Sequence, residues 1–236
     1  MHAANAAEAA ILSRRSVRGF LPTPVPREVV EHLLDVAARA PSGTNMQPWQ
    51  VVALAGDELA RFCDGVATAF LNGEEPEGNE HRYYPAPFFE PYLARRRKIG
   101  WDLYGILGIA RGEREKARAH IANNLHYFGA PVGLICTIDR RLEIGSWLDY
   151  GMFLGNIVTA ARARGLDTCP MAAFADFPRT IRRLLCLDDS RVIVCGMAIG
   201  YEDRDAPANR LVTERVPAAA FCDFRGFFPQ AGSDAR

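Results

Sequence analysis

The sequence predicts a single domain that mixes helices with a small buried sheet. Three observations carry that expectation. The runs 50–55, 132–138 and 192–200 are short, continuous and largely apolar, as interior strands are. The stretch 146–164 keeps a helical apolar period and carries Gly151 and Gly155 within it. No repeat or low-complexity block divides the chain, apart from an alanine-rich start and a Gly- and Ser-containing end. With 236 residues, 49% hydrophobic and 24% charged, the chain has ordinary globular composition and length for a sizeable core.

Charge and motif content narrow the function classes. Lys and Arg number 28 against 28 Asp and Glu, so no overall basic field gathers nucleic acid or an anionic membrane, and any anion site is local. No apolar stretch approaches the ~20 residues that cross a bilayer. Six cysteines (Cys63, Cys136, Cys169, Cys186, Cys195, Cys222) form no C-x-x-C pair, and the start lacks a signal-peptide core. A reducing cytoplasm without disulfides is expected. The five histidines show no metal-ligand spacing, so no metal is expected. G-x-S-x-G, a catalytic thiol frame, a Walker A loop and a post-strand G-x-G-x-x-G are absent. Neither nucleophilic catalysis nor Rossmann-type dinucleotide binding is indicated.

In chain order, a helix over 6–12 runs into Ser13-Arg14-Arg15-Ser16-Val17-Arg18-Gly19-Phe20. Arg14 and Arg18 share a face if that helix continues, while Gly19 and Pro22 end it. The arginines read either as counter-charges to a helix C-terminus or as a phosphate clamp, with guanidinium forks and the Ser16 hydroxyl on the phosphate oxygens. Pro24-Val25-Pro26 leads into a second helix whose apolar stripe is Val29, Leu33, Val36, Ala37 and Ala40, and Pro41 closes it.

The following loop, Pro41-Ser42-Gly43-Thr44-Asn45-Met46-Gln47-Pro48-Trp49, concentrates turn formers, amides and an indole. It reads either as a connector anchored by Trp49 or as a ligand-contacting loop. In the second case Ser42 and Gly43 allow an unusual turn, and Asn45 and Gln47 offer amides to a heteroaromatic edge. After the first strand, 58–70 is helical. Residues 72–108 read as an irregular flap with some helix, its first half kept irregular by Pro85, Pro87 and Pro91. Tyr83, Tyr84, Phe88, Phe89, Tyr92, Trp101 and Tyr104 either pin this excursion to the body or cover a flat ligand. Arg95-Arg96-Arg97 reads as a solvated helix face, with attraction of an acidic substrate as the alternative.

Helical character resumes over 113–128 and leads to the second strand. Ser146 is expected to cap the long helix, whose stripe is Trp147, Tyr150, Leu154, Ile157 or Val158, and Ala161. Gly151, Gly155 and Ala160 leave room for another backbone. The segment 165–174 exposes small residues able to lie against a planar ring, Phe177-Pro178 starts a short helix, and 192–200 is the third strand. Phe221, Phe224, Phe227 and Phe228 must pack on the body or on another subunit.

Arg14-Arg15-Ser16-Val17-Arg18-Gly19-Phe20 fits R-[RH]-S-x-[RK]-x-[FY], and 41–49 fits P-S-x-x-N-x-Q-P-W. Together with Gly165-Leu166-Asp167 and Arg215-Val216-Pro217, these elements resemble the FMN-dependent nitroreductase family in order and spacing over nearly the whole chain. Cys169-Pro170-Met171-Ala172-Ala173 looks most like the nitrobenzoate-reductase branch. The resemblance implies an α+β three-layer sandwich, with a mixed, mostly antiparallel sheet flanked by helices, in an intertwined homodimer with FMN at the interface. It makes 216–236 a tail on the partner.

By the same resemblance Arg14, Arg15, Ser16 and Arg18 bind the flavin phosphate and pyrimidine end, and Arg215 adds a phosphate contact. Pro41, Ser42, Gly43 and Asn45 complete the site from the partner subunit. Pro170, Met171, Ala172 and Ala173 lie along one ring face, with a backbone N–H near flavin N5, and Asn124 is a further candidate. Thr213 stands where some members carry a second basic residue, and Ala172-Ala173 where others have Glu-Gly. The implied activity is ping-pong hydride transfer from NADH or NADPH to a small aromatic acceptor, a nitroaromatic or quinone. No catalytic side chain is expected, since the flavin carries the chemistry. Flavin fragmentation with oxygen, reductive dehalogenation and flavin binding without turnover are the alternatives.

Overall fold

In the computed structural model, residues 3–72 and 80–227 are described. Helix α1 (Ala6–Ser13) starts on Asn5, whose side chain accepts the Glu8 N–H at 3.0 Å, and stops where Arg14 turns to an extended φ of −62° and ψ of 135°. The arginine cluster therefore lies on extended chain. Arg14 and Arg18 share no helical face, and of the two only Arg14, the C-cap residue, adjoins the end of α1. The Val17 N–H instead donates to the Thr168 carbonyl at 3.1 Å, just before strand β1 (Phe20–Leu21).

Helix α2 (Arg27–Ala37) buries Val30, Leu33 and Ala37. Val36, expected on that stripe, is 40% exposed, because position 36 falls to the side of the 30, 33, 37 row. Strand β2 (Gln50–Ala55) and helix α3 (Gly56–Leu71) follow as expected. Beyond them come α4 (Tyr92–Ile106), α5 (Arg114–Leu125), β3 (Val132–Asp139), α6 (Ile144–Ala163), β4 (Asp167–Met171), α7 (Pro178–Leu185) and β5 (Arg191–Glu202).

β5 is the centre of the sheet. It pairs antiparallel with β1, β3 and β4, and β3 pairs antiparallel with β2. Met197 lies opposite Leu134 and Pro170 at once, so β3 and β4 hold opposite edges of β5. Two of the five strands, β1 and β4, go beyond the three the apolar runs indicate. β1 is two residues long, and β4 is an edge strand that tolerates Pro170 because no neighbour needs an N–H there.

Alternation along the strands divides the core into two layers. Val132, Leu134, Cys136 and Ile138 of β3 join Leu33 of α2 and Tyr150, Phe153 and Ile157 of α6. Ile135 and Ala198 face the other way, onto Phe62 of α3, Leu125 of α5 and Ile181 of α7. A register shift after Cys136 leaves Val194 as an extra residue, so Val194 and Cys195 both join the first layer. The result is the expected α+β three-layer sandwich.

Two local readings are corrected by burial. Helical character was expected to reach residue 128, yet α5 ends at Leu125, and Tyr127 and Phe128 take φ values of 50° and 54°. This left-handed pair swings the Tyr127 ring under β3, where its hydroxyl donates to the Leu134 carbonyl at 3.2 Å. The ring fits only because residue 133 is glycine: a Cβ there would lie 2.6 Å from it. Ser146 does not cap α6 either. The helix begins at Ile144, so Ser146 falls inside the first turn and is buried. Asp149, Tyr150, Phe153, Ile157, Val158 and Ala161 continue that face, while Ile144, Leu148, Gly151, Met152 and Gly155 form an exposed apolar and small-residue face.

The acidic, glycine-rich opening of the 72–108 flap lies mostly outside the described residues. Glu80 then ties the excursion down, accepting from Arg182 at 2.8 Å and pairing with Arg140, and the His81 ring sits 4.5 Å from Trp147. Tyr83, Tyr84, Phe88, Phe89 and Tyr92 touch one another and, Phe88 apart, stay about half exposed. Anchoring thus falls to Glu80 and His81, and the flap ends in the 15-residue α4. Phe221, Phe224 and Phe227 are exposed and do not pack on the body; Phe228 lies outside the described residues. Among the described residues no helix is long and apolar enough to cross a membrane.

Candidate functional site

The buried Asn209 amide draws the first arginine cluster onto the C-terminal segment. Its Oδ1 accepts the Arg18 N–H at 2.6 Å, and its Nδ2 donates to the carbonyls of Gly19 and Asp203, each at 2.8 Å. Its own carbonyl accepts from Arg15 at 2.6 Å, and Arg15 also forms an ion pair with Glu202. All these groups are spoken for, as buried polar atoms must be.

The fold this staple holds opens a cavity of about 460 Å³ lined by Arg14, Arg15, Ser16 and Arg18, by Thr213, Glu214 and Arg215, and by Arg95, Lys98 and Asp102 of α4. Two carboxylates face six cations. Lys98 pairs with Asp102 at 2.7 Å and lies 3.9 Å from Glu214. Arg14, Arg18, Arg95 and Arg215 have no carboxylate partner among the described residues. Thr213 does not add a charge but aims one: its Oγ1 accepts from Arg215 at 2.8 Å. Convergent guanidinium groups without counter-charges are the donor set of a phosphate site. A phosphorylated cofactor therefore fits this end.

A second cavity, of about 340 Å³, is lined by Arg18, Tyr83, Tyr84, Asn124, Cys169, Pro170, Met171, Ala172, Ala173 and Asp176. β4 sets out this floor and a short 3₁₀ turn (Ala172–Asp176) completes it. Small side chains at 172 and 173 leave backbone open to a planar group. Burial pushes the Cys169 thiol up to about 11, against the opposing pull of Arg18, so it stays protonated at neutral pH and serves as floor. Arg18 lines both cavities, which places a cation between an anion site and a flat site.

Pro41, Ser42, Gly43 and Asn45 line neither cavity. The unusual backbone of their loop falls one step later than the glycine suggests, at Thr44, Asn45 and Gln47, with φ of 50°, 61° and 49°. The loop is nevertheless rigidly held. Gly43 N–H donates to Asp149 Oδ2 on α6 at 3.0 Å, Gln47 N–H donates to Ser42 Oγ at 3.0 Å, and Trp49 stacks on Phe153 with centroids 4.9 Å apart. Its outer surface remains exposed, and one chain alone does not bring it to the arginines. Among the described residues no His, Cys, Asp and Glu cluster is arranged to hold a metal ion.

Sequence reasoning missed Lys98, Asp102 and Asn209. Only the triple arginine marked α4, and nothing local marks Asn209, whose role is a set of hydrogen bonds across 190 residues.

Residues 11–201 match the family model described as the Nitroreductase family. The chain is 41% identical over 221 residues to a 4-nitrobenzoate reductase of Pseudomonas putida, covering 93% of this chain and 96% of that protein. It is 38% identical over 214 residues to a chloronitrobenzene nitroreductase of Comamonas testosteroni, covering 91% and 94%. Among solved structures, the FMN and NADPH-dependent nitroreductase NfnB from Sphigopyxis sp. strain HMH superposes with a TM-score of 0.90 at 36% identity, covering 94% of this chain and 99% of that one.

Proposed function

Because the chain belongs to the nitroreductase family, we propose that it is an FMN-dependent oxidoreductase passing hydride from NADH or NADPH to a nitroaromatic or quinone acceptor. The observation that carries this reading is Arg18, which lines both a cation-rich cavity and a flat, small-residue cavity beside it. Bound FMN would supply the hydride chemistry. Arg14, Arg18 and Arg215 hold its phosphate, Thr213 aims Arg215, and 170–173 bed the ring. Arg15 acts one layer back, fixing the motif to Glu202 and Asn209. Reductant and acceptor would meet the exposed face of the ring in turn, which is a ping-pong order. No acid–base dyad is required of the side chains.

Anaerobic mixing of the yellow protein with NADPH and a nitrobenzoate tests the reading. Steady nucleotide oxidation that depends on the acceptor is expected. Consumption of reduced FMN in a parallel aerobic run without an acceptor, or no bleaching by either nucleotide, would replace it with flavin fragmentation or with flavin binding alone.

A homodimer completes the site. The exposed face of α6, the exposed loop 41–49 and the exposed Phe221, Phe224 and Phe227 are the surface this reading gives to the second subunit. A Cβ at Gly151 or Gly155 would meet nothing within 4 Å in the single chain, which leaves both positions free for the close approach of a second backbone. Gly151→Arg is expected to yield a monomer with little flavin in sedimentation and absorbance measurements. A dimeric, fully yellow variant would remove α6 from the interface.

A further inference from the structure

Beside the proposed flavin site lies another groove of about 680 Å³, walled by Tyr84, Phe88 and Tyr92 and rimmed by Arg95 and Arg96. It borders both cavities described above. Tyr84 also walls the flat cavity, and Arg95 also lines the phosphate cavity. Its walls are aromatic and its rim is positive. The Arg96 guanidinium lies 4.3 Å from the Phe88 ring centroid and that of Arg95 lies 5.8 Å from the Tyr92 centroid. Neither arginine has a carboxylate partner among the described residues, whereas Lys98, on the same helix, is paired with Asp102.

Aromatic walls under unneutralised guanidinium groups suit a flat heteroaromatic that carries an anion. Resting on the reading above, we propose that this groove binds the adenosine 2′-phosphate end of NADPH. Adenine stacks among Tyr84, Phe88 and Tyr92, and Arg96 takes the 2′-phosphate with Arg95 beside it. On the reading above the flat cavity of about 340 Å³ holds the flavin ring, over which a nicotinamide or a small acceptor would stack in turn. A dinucleotide is longer and needs a second surface, which the groove next to Tyr84 provides. Arg14, Arg18 and Arg215 face the flavin phosphate, while Arg96 lies outside that cavity and is left for the nucleotide. Arg96 is thereby the residue that selects NADPH over NADH, since a guanidinium near the ribose accommodates a 2′-phosphate that NADH lacks.

Calorimetric titration of the FMN-loaded protein with 2′,5′-ADP and with 5′-AMP tests the assignment. The 2′-phosphate is expected to tighten binding about tenfold or more, the size of one charge-assisted contact. Arg96→Gln should erase that difference while leaving flavin content and 5′-AMP affinity in place, and Arg96→Lys should keep part of it. Equal affinity for the two nucleotides in the parent protein, or an undiminished preference in Arg96→Gln, overturns the proposal. So does a variant that loses nitrobenzoate binding while keeping that for 2′,5′-ADP, which would assign the groove to the acceptor. A parent that holds FMN and shows no nucleotide preference sinks only this inference; a parent that binds no FMN sinks the flavoenzyme reading itself.

Discussion

Arg14→Ala is expected to purify nearly colourless, with its affinity for FMN lowered about tenfold to a hundredfold. The magnitude is that of one hydrogen-bonded charge contact, roughly 1.5–3 kcal/mol. Arg14 follows the last turn of α1 on extended chain, lines the phosphate cavity and has no carboxylate partner among the described residues. Its charge is therefore available to a ligand, and removing it takes nothing from the fold. Arg15→Ala should behave in the opposite sense. It strands Glu202 and frees the Asn209 carbonyl, so thermal stability falls before flavin affinity does. Flavin absorbance per protein, with melting of the flavin-free forms, separates the two. A fully yellow Arg14→Ala protein would remove Arg14 from the phosphate site.

Gly196→Val should destabilise the protein by roughly 3 kcal/mol or more, the upper range for overfilling a close-packed core. Its melting temperature would then fall by about 6–12 °C. A Cβ at position 196 would lie 2.6 Å from Phe174 Cε2 and closer still to Cδ2. The ring has nowhere to retreat, because Phe174 is fully buried and stacked against Tyr127 and Phe62, with centroids 4.6 and 6.0 Å away. Gly196 also pairs with Met171, and Phe174 belongs to the turn that carries Ala172 and Ala173. The strain thus reaches the floor of the flat cavity, and flavin affinity should fall along with stability. Phe174→Leu in the same chain should restore part of both. Unchanged melting in Gly196→Val would show that the ring can move.

The contrast between Arg15 and Arg18 shows where sequence reasoning stops. Both sit in one motif and look alike as phosphate ligands. One is committed to Glu202, which is 187 residues away, and the other is left to the cavity. Val30 against Val36, and Ser146 inside α6 rather than at its cap, are smaller cases of the same kind. A helix's pattern reveals that it has an apolar face, but its partner fixes the rotation of that face. The strands split likewise. β2, β3 and β5 were legible because each is a continuous apolar run, whereas β1 and β4 are short or polar and exist only because β5 offers them edges.

Local and periodic features were therefore legible in the residues alone: the main helices, the three apolar strands and two motifs whose order resembles one family. Those features follow from propensity and pattern within a few turns of chain. Only tertiary contacts settle which arginines stay free of counter-charges, that Arg18 lines two cavities, that α4 lends cations to the first of them, and that loop 41–49 lines neither. Each of these depends on contacts between segments up to about 200 residues apart, and such contacts form only when burial of the shared core outweighs the entropy of closing the chain between them.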